Sequence, residues 1–465
     1  MKFLKNKSLW ALLIGGTLLS ITACKKDDET PDPPSTPSGS AFTITDIGNN
    51  TNKVEGASTG DVTFTSDKQW LLQGFVYVEN GATITIQPGT IIRGDKDSKG
   101  TLIIKRGAMI QAVGTSSQPI VFTSNQPVGS RDYGDWGGVI LCGRANNNQP
   151  GGEALIEGGP DAMYGGASSP NDADNSGSME YVRIEFAGIA FQPNQEINGL
   201  TFGAVGSGTT IDHVQVSYSG DDSYEWFGGA VNVKHLVAFR GWDDDFDTDN
   251  GFRGKGQFCI AIRDHNIADQ SGSNGFESDN DATGSTAAPY TMPIFSNFTM
   301  FGPGAESSET ANSLFKRAAH IRRNSRLNIH NSILAGYPTG LYIDGSLTGD
   351  NATQNLLQVR NTILAGNTLQ LDVASGTNLD IASWFNTSGW NNSLIDDLNT
   401  LGLNLPVNLT NPNLLPSGGS PLLSGADFSG NVSDSFFQQV SYRGAFGSDN
   451  WTSGWCNWDP QNTAY

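Results

Sequence analysis

The sequence predicts an all-β protein built as a right-handed parallel β-helix, a solenoid with long turn insertions. Three observations predict it. Short alternating segments recur along the chain at irregular spacings. The composition is rich in turn residues and strand formers. Long runs with helical spacing and strong helix formers are missing.

The composition comes first. Of 465 residues, 57 are Gly, only 16% are charged, and 37% are hydrophobic, with many Val, Ile and Phe. That mix suits turn-rich β structure. The length allows one large or two to three ordinary domains.

The repeats follow. “GATITIQPGTII” (81–92) is echoed by “GAMIQAVGTSSQPIVFT” (107–123), and “YVRIEFAG” (181–188) by “HVQVSYSG” (213–220). “HNSILAG” (330–336) returns as “RNTILAG” (360–366), with “SNFTMFG” (296–302) a looser copy. Val182, Ile184 and Phe186 alternate with Arg183 and Glu185, the period of a strand. One such unit cannot bury its apolar face alone, but stacked units share a core. Uneven spacing disfavours a propeller and suits a β-helix, in which one turn per coil is free to grow. A pair of β-sandwiches is the rival. Residues 146–178, rich in Asn, Gly and Pro, read as an expanded turn. Trp451, Trp455 and Trp458 lie in an expected C-terminal cap, about 430–465, closing the open end of the solenoid; stacking on sugar rings is the other reading.

The chain starts with “MKFLKNKSLWALLIGGTLLSITACKKDDE”. Lys2, Lys5 and Lys7 precede a short apolar stretch, 9–21, too short for a stable membrane span. “ITAC” then resembles the lipobox of bacterial lipoproteins, whose cysteine is diacylated and becomes the mature N-terminus. The resemblance implies a signal peptide over 1–23 and lipidation at Cys24. “KKDDE” resembles the acidic export signal of some Gram-negative lipoproteins, implying the outer membrane and the cell surface. Residues 25–41 lack apolar content and read as a disordered tether, so 24–41 is the anchor region and 42–465 a single β-helix domain.

Charge narrows the partners. The net charge is −20. Without Lys2, Lys5 and Lys7, 24 basic residues face 47 acidic ones, a net −23. Nucleic acid is excluded by that field, and divalent cations suit it. Beyond Cys24, Cys142, Cys259 and Cys456 allow at most one disulfide, and with no CxxC pair and five scattered histidines no zinc site is expected. No P-loop or Rossmann fingerprint appears, so nucleotides have no support as partners.

The run “GTLIIKRGAMIQAVGTSSQPIVFTSN” (100–125), “GDWGGVIL” (134–141) and the ending “RGAFGSDNWTSGWCNWDP” (443–460) resemble the pectate-lyase-like β-helix bodies of bacterial surface lipoproteins and outer-membrane proteins. The resemblance covers roughly 60–460. It implies the fold. It leaves function open, because this fold serves lyases, hydrolases and adhesins.

One constellation carries chemistry. “GDDSYEWFGG” (220–229) aligns without a gap on “WDDDFDTDNG” (242–251), and “GSNGFESDND” (272–281) is a weaker third copy. Stacked coils place such residues about 4.8 Å apart. With Tyr224, Phe246 and Phe276 inward, the pleat turns Glu225, Asp245, Asp247, Asp249, Glu277 and Asp279 outward on one face. Opposed like charges destabilise a sheet, so something should offset them. Three readings are open. The six bind Ca²⁺, a hard cation taking six to eight oxygens. They lie solvated and paired with Arg240, Arg253, Lys255 or Arg263. Or two of them act as acid and base in glycoside hydrolysis. “GWDDDFDTDNGF” also loosely resembles the Asp-rich coils of calcium-dependent polysaccharide lyases of the β-helix class, which implies Arg253 or Lys255 as the base. His265, His320 and His330 read as isolated turn or ladder residues.

The expectation is a lipid-anchored surface β-helix that binds glycan or another extracellular ligand, with Ca²⁺ bracing the acidic coils. A Ca²⁺-dependent polysaccharide lyase and a structural or adhesive protein are the alternatives.

Overall fold

Three short strands per coil, each hydrogen-bonded to its counterpart one coil on, wind residues 41–396 into a right-handed parallel β-helix. This is a computed structural model, and it describes residues 41–192 and 195–465. The signal segment, Cys24 and all of the tether but Ala41 lie outside the described residues.

The first wall contains Tyr224–Phe227, Phe246–Asp249, Phe276–Ser278, Arg317–Ile321 and Thr339–Ile343, in parallel register. The second contains Lys255–Gln257, Ile294–Ser296 and Asn328–His330. The third contains Ile260–Ile262, Thr299–Phe301, Ile333–Ala335 and Ile363–Ala365. Upstream, long strands such as Asn232–Phe239 serve the second and third walls together. The bend between those walls falls on one left-handed residue per coil: Tyr181, His213, His235, Phe258, Asn297, Asn331, Asn361 and Asn391, with φ from 50° to 61°. Asn and His tolerate that region better than most side chains, which explains the asparagine run in the later coils.

The period-two pattern places the core as expected. Tyr224, Phe246 and Phe276 are fully buried, and the Tyr224 and Phe246 rings stack at 5.5 Å. The Tyr224 hydroxyl donates to the carbonyls of Val214 and Val237, so its polar tip is satisfied inside the solenoid. At the N-terminal end, Thr43–Asp46 pairs antiparallel with Thr51–Ser58 and covers the first coil's edge. The expanded turn after Cys142 forms a small hairpin, Ala154–Leu155 with Met163–Tyr164, that folds over the first wall.

The C-terminal segment corrects one expectation: it clasps the flank of the solenoid instead of plugging its end. Trp455, Phe446, Leu414 and Val407 pack on Phe186, Tyr218, Phe239 and Phe301. Gln69 and Arg93, near the start of the fold, donate to the terminal oxygen of Tyr465 at 3.3 and 3.2 Å. The cause lies in the third wall. Its strands are apolar on both faces, as in Ile260-Ala261-Ile262, so the outer face needs a cover. Ile333 and Ile363 on that outer face pack against Leu401 and Leu422. Ile363→Val should therefore cost about 1 kcal/mol, as for an interior methyl, read by urea denaturation. A solvent-facing Ile363 would give no change.

Cys142, Cys259 and Cys456 are all free thiols. No described helix is long and apolar enough to cross a membrane.

Candidate functional site

Register alone builds an acidic column on the first wall. Thr201 pairs with Glu225, Glu225 with Asp247, Asp247 with Glu277, and Glu277 with His320. The inward neighbours in the same strands fill the core, so this column is outward.

A second polar column runs beside it, just before each strand. The backbone N–H of Asp244 donates to Asp222 Oδ1 at 2.9 Å, and that of Asn274 donates to Asp244 Oδ1. Each carboxylate thus caps the backbone of the next coil. The two columns merge. Asp222, Glu225 and Asp247 bring oxygens within 4.8 Å of one another, as do Asp244, Asp247 and Glu277, and as do Asp221, Asp222 and Asp243.

Few donors serve these acids. Asn198 Nδ2 donates to Glu225, and Asn274 Nδ2 to Glu277 at 3.1 Å. Ser271 donates to Asp243. Arg322 pairs with Glu277 and, at 2.8 Å, with Asp279, which also takes Arg323 at 2.7 Å. Asp247, at the centre, accepts no hydrogen bond among the described residues, and its Oδ1 is buried. The side-chain oxygens of Asn198 and Asn274 are also buried without a partner, although both residues are only 2% exposed. A hard cation with oxygen ligands fits this donor set of carboxylates and amide oxygens.

The electrostatics agree. Burial, then the neighbouring Asp222 and Glu277 charges, raises Asp247 well above the carboxylate range. Burial and Asp247 do the same to Glu225. Burial and Glu277 push Asp244 up to about 8, and burial and Asp244 push Asp243 to about 8. Glu277 rises only to about 7, because Arg322 opposes its burial.

Of the six expected acids, Glu225, Asp247 and Glu277 form one column, in which Asp247 meets Glu225 on one side and Glu277 on the other. Asp249 and Asp279 sit together at the strand ends, where Asp279 is neutralised by the two arginines. Asp245 corrects the expectation. It precedes its strand, at the corner between the third and first walls, and turns inward. There it is fully buried, pairs with Arg263 at 2.9 Å, and lies 3.3 Å from the Tyr337 hydroxyl.

Of the four basic residues expected beside the acids, Arg263 meets one of them, Asp245, and the other three go elsewhere. Arg253 donates twice to Asp172, Lys255 pairs with Asp434, and Arg240 pairs with Asp264. Neither Arg253 nor Lys255 contacts the acidic column, so neither stands as a base there. Of the three histidines expected to be isolated, two have acidic partners, and His213 and His235, expected to be scattered, stack at 4.3 Å. His320 Nδ1 lies 3.3 Å from Glu277, and His265 Nδ1 lies 2.7 Å from Glu306. His330 is buried with Nε2 unpartnered and held near 3 by burial and Arg360.

Sequence reasoning missed Asp222, Asp244, Asn198, Asn274, Arg322 and Trp242. The gapless alignment that paired Asp222 with Asp244 was a usable signal. Trp242 had none. It is 41% exposed and lines an open cleft of about 670 Å³ with Glu157, Glu196, Asp221, Asp243 and Asp269.

A parallel β-helix carrying a polar, cleft-side wall defines the class of protein. The chain belongs to the pectate-lyase-like β-helix family, whose model matches residues 56–396. No curated protein and no solved structure matches it.

Proposed function

We propose that this chain is a carbohydrate-binding β-helix whose first wall is braced by Ca²⁺, anchored through Cys24 to the outer membrane and displayed at the cell surface. The observation that carries the cation reading is Asp247. It is a central carboxylate with no donor, flanked by four other acids and by two orphaned amide oxygens. Two overlapping ligand sets share Asp247: Asp222, Glu225 and Asp247, with Asn198 beside Glu225, and Asp244, Asp247 and Glu277, with Asn274 beside Glu277. Ca²⁺ supplies the positive charge that lets these acids ionise together. The cleft beside them offers an exposed indole for a sugar face and carboxylates for sugar hydroxyls.

Calorimetry with CaCl₂ tests the cation. Wild type should bind Ca²⁺, and Asp247→Asn should weaken binding at least about tenfold, since one charged ligand is lost. Asp245→Asn should not, because that residue serves Arg263. Equal heats for wild type and Asp247→Asn remove the site. Polysaccharide binding should fall with Trp242→Ala and with a chelator. Membrane fractionation and acyl labelling of Cys24→Ala test the anchor.

A further inference from the structure

The corner between the second and third walls carries one left-handed residue per coil. At two successive coils that residue is histidine: His213 at φ 54° and His235 at φ 52°. The register Asp212 to Lys234 and Val214 to Leu236 puts one directly over the other. Their rings stack 4.3 Å apart with a 25° tilt. Tyr181 covers the outer face of His213 at 4.4 Å, and Phe258 covers that of His235 at 5.5 Å. Trp455 and Trp451 meet the two rings edge-on from the C-terminal clasp. The imidazoles are therefore held on several sides.

Both aim one nitrogen at the same oxygen. Asp212 Oδ1 lies 2.8 Å from His213 Nδ1 and 2.7 Å from His235 Nδ1. Neither Nε2 has a hydrogen-bond partner among the described residues. The Asp212 side chain is 31% exposed, so the group opens to solvent.

We propose that Asp212, His213 and His235 form a two-histidine, one-carboxylate site for a borderline divalent transition ion such as Zn²⁺ or Ni²⁺. The three donor atoms lie within 4.8 Å of one another. Imidazole nitrogens select such ions over Ca²⁺, and three protein ligands leave coordination positions open to water. Entry of the ion needs no change in ring charge. Each imidazole gives up its Nδ1 proton and takes one at the free Nε2, so the Nδ1 lone pair turns to the metal and the ring stays neutral. The site lies on a different corner from the acidic column, so it stands apart from the Ca²⁺ reading.

The test is a titration of the full chain with Zn²⁺ in saturating Ca²⁺, and a visible spectrum with Co²⁺. One strong Zn²⁺ site is expected, with Co²⁺ bands of a nitrogen-ligated ion. Loss of an outer-shell partner alone costs a metal site about 10–100-fold, so His213→Ala and His235→Ala should each weaken Zn²⁺ at least that much. Asp247→Asn should leave Zn²⁺ binding unchanged. The proposal is overturned if the Co²⁺ spectrum in wild type stays that of the aqueous ion, a reading that needs no variant. It is equally overturned if Zn²⁺ affinity survives in a folded His235→Ala protein.

Discussion

Arg263→Met should destabilise the protein by about 3–5 kcal/mol at pH 8, read by urea denaturation. Arg263 and Asp245 are both fully buried and pair at 2.9 Å. The guanidinium also donates to the Asp243 carbonyl and lies over the Phe315 ring. Removing it leaves a buried carboxylate whose only other polar contact among the described residues is the Tyr337 hydroxyl at 3.3 Å. Burial already pushes Asp245 up to about 6, with Arg263 holding it down. Without Arg263 that value climbs further, while the unfolded value stays near 3.9. The folded variant then keeps its proton past the point, about 6, where the folded wild type releases it, so the loss relative to wild type grows with pH above about 6. The variant should be hurt less at pH 5 than at pH 8. Replacing the pair together, as Asp245→Leu with Arg263→Met, should recover most of the loss, because a well-packed apolar pair is often neutral against a buried ion pair. Additive losses in the double variant would show that the two residues do not act on each other.

The same two residues mark where the sequence stopped being legible. Alternation along Tyr224–Phe227 and Phe246–Asp249 fixes which side chains face out, and the 22-residue spacing fixes which stack. Both statements are local, so the Glu225–Asp247–Glu277 column could be read from them. Asp245 lies one residue before its strand, at a corner, where the pleat no longer sets direction. Extending strict alternation into that corner sent it outward, when its partner Arg263 waited inside. Asp222 and Asp244 sit in the same kind of position. Their role depends on capping backbone N–H groups one coil on, a contact between residues 22 and 30 apart. Arg322 and Arg323 reach Asp279 from 43 and 44 residues away, and no spacing rule foretold that. The C-terminal tryptophans misled for a related reason. Segments such as “CIAI” (259–262) and “SILAG” (332–336) are apolar at successive positions, the mark of a strand with a second face to cover, and that is the flank the tryptophans reach.

Ca²⁺ should raise the melting temperature far more at pH 8 than at pH 5, and the metal-free protein should lose stability over that same interval. The acids of the first wall titrate high. Burial and like charges put Asp243, Asp244 and Asp249 near 8 and Glu277 near 7, and hold Asp221, Asp222, Glu225 and Asp247 well above the usual range. In the unfolded chain they titrate near 4. Between those limits the folded protein binds more protons than the unfolded one, so stability falls as pH rises from about 4 to about 8. His320 and His330, held near 4 and near 3, work the other way, but only below the unfolded imidazole value of about 6.5. From pH 6.5 to 8 the carboxylates act alone. Ca²⁺ competes with those protons, so it binds weakly at pH 5, where the wall is protonated, and tightly at pH 8. At a hundredfold excess over Kd it adds about 2.7 kcal/mol of stability. Calorimetric melting at both pH values, with CaCl₂ and with EGTA, measures all four states. A Ca²⁺ effect of equal size at the two pH values would separate the cation from these carboxylates, and in Asp247→Asn the gain at pH 8 should shrink toward that seen at pH 5.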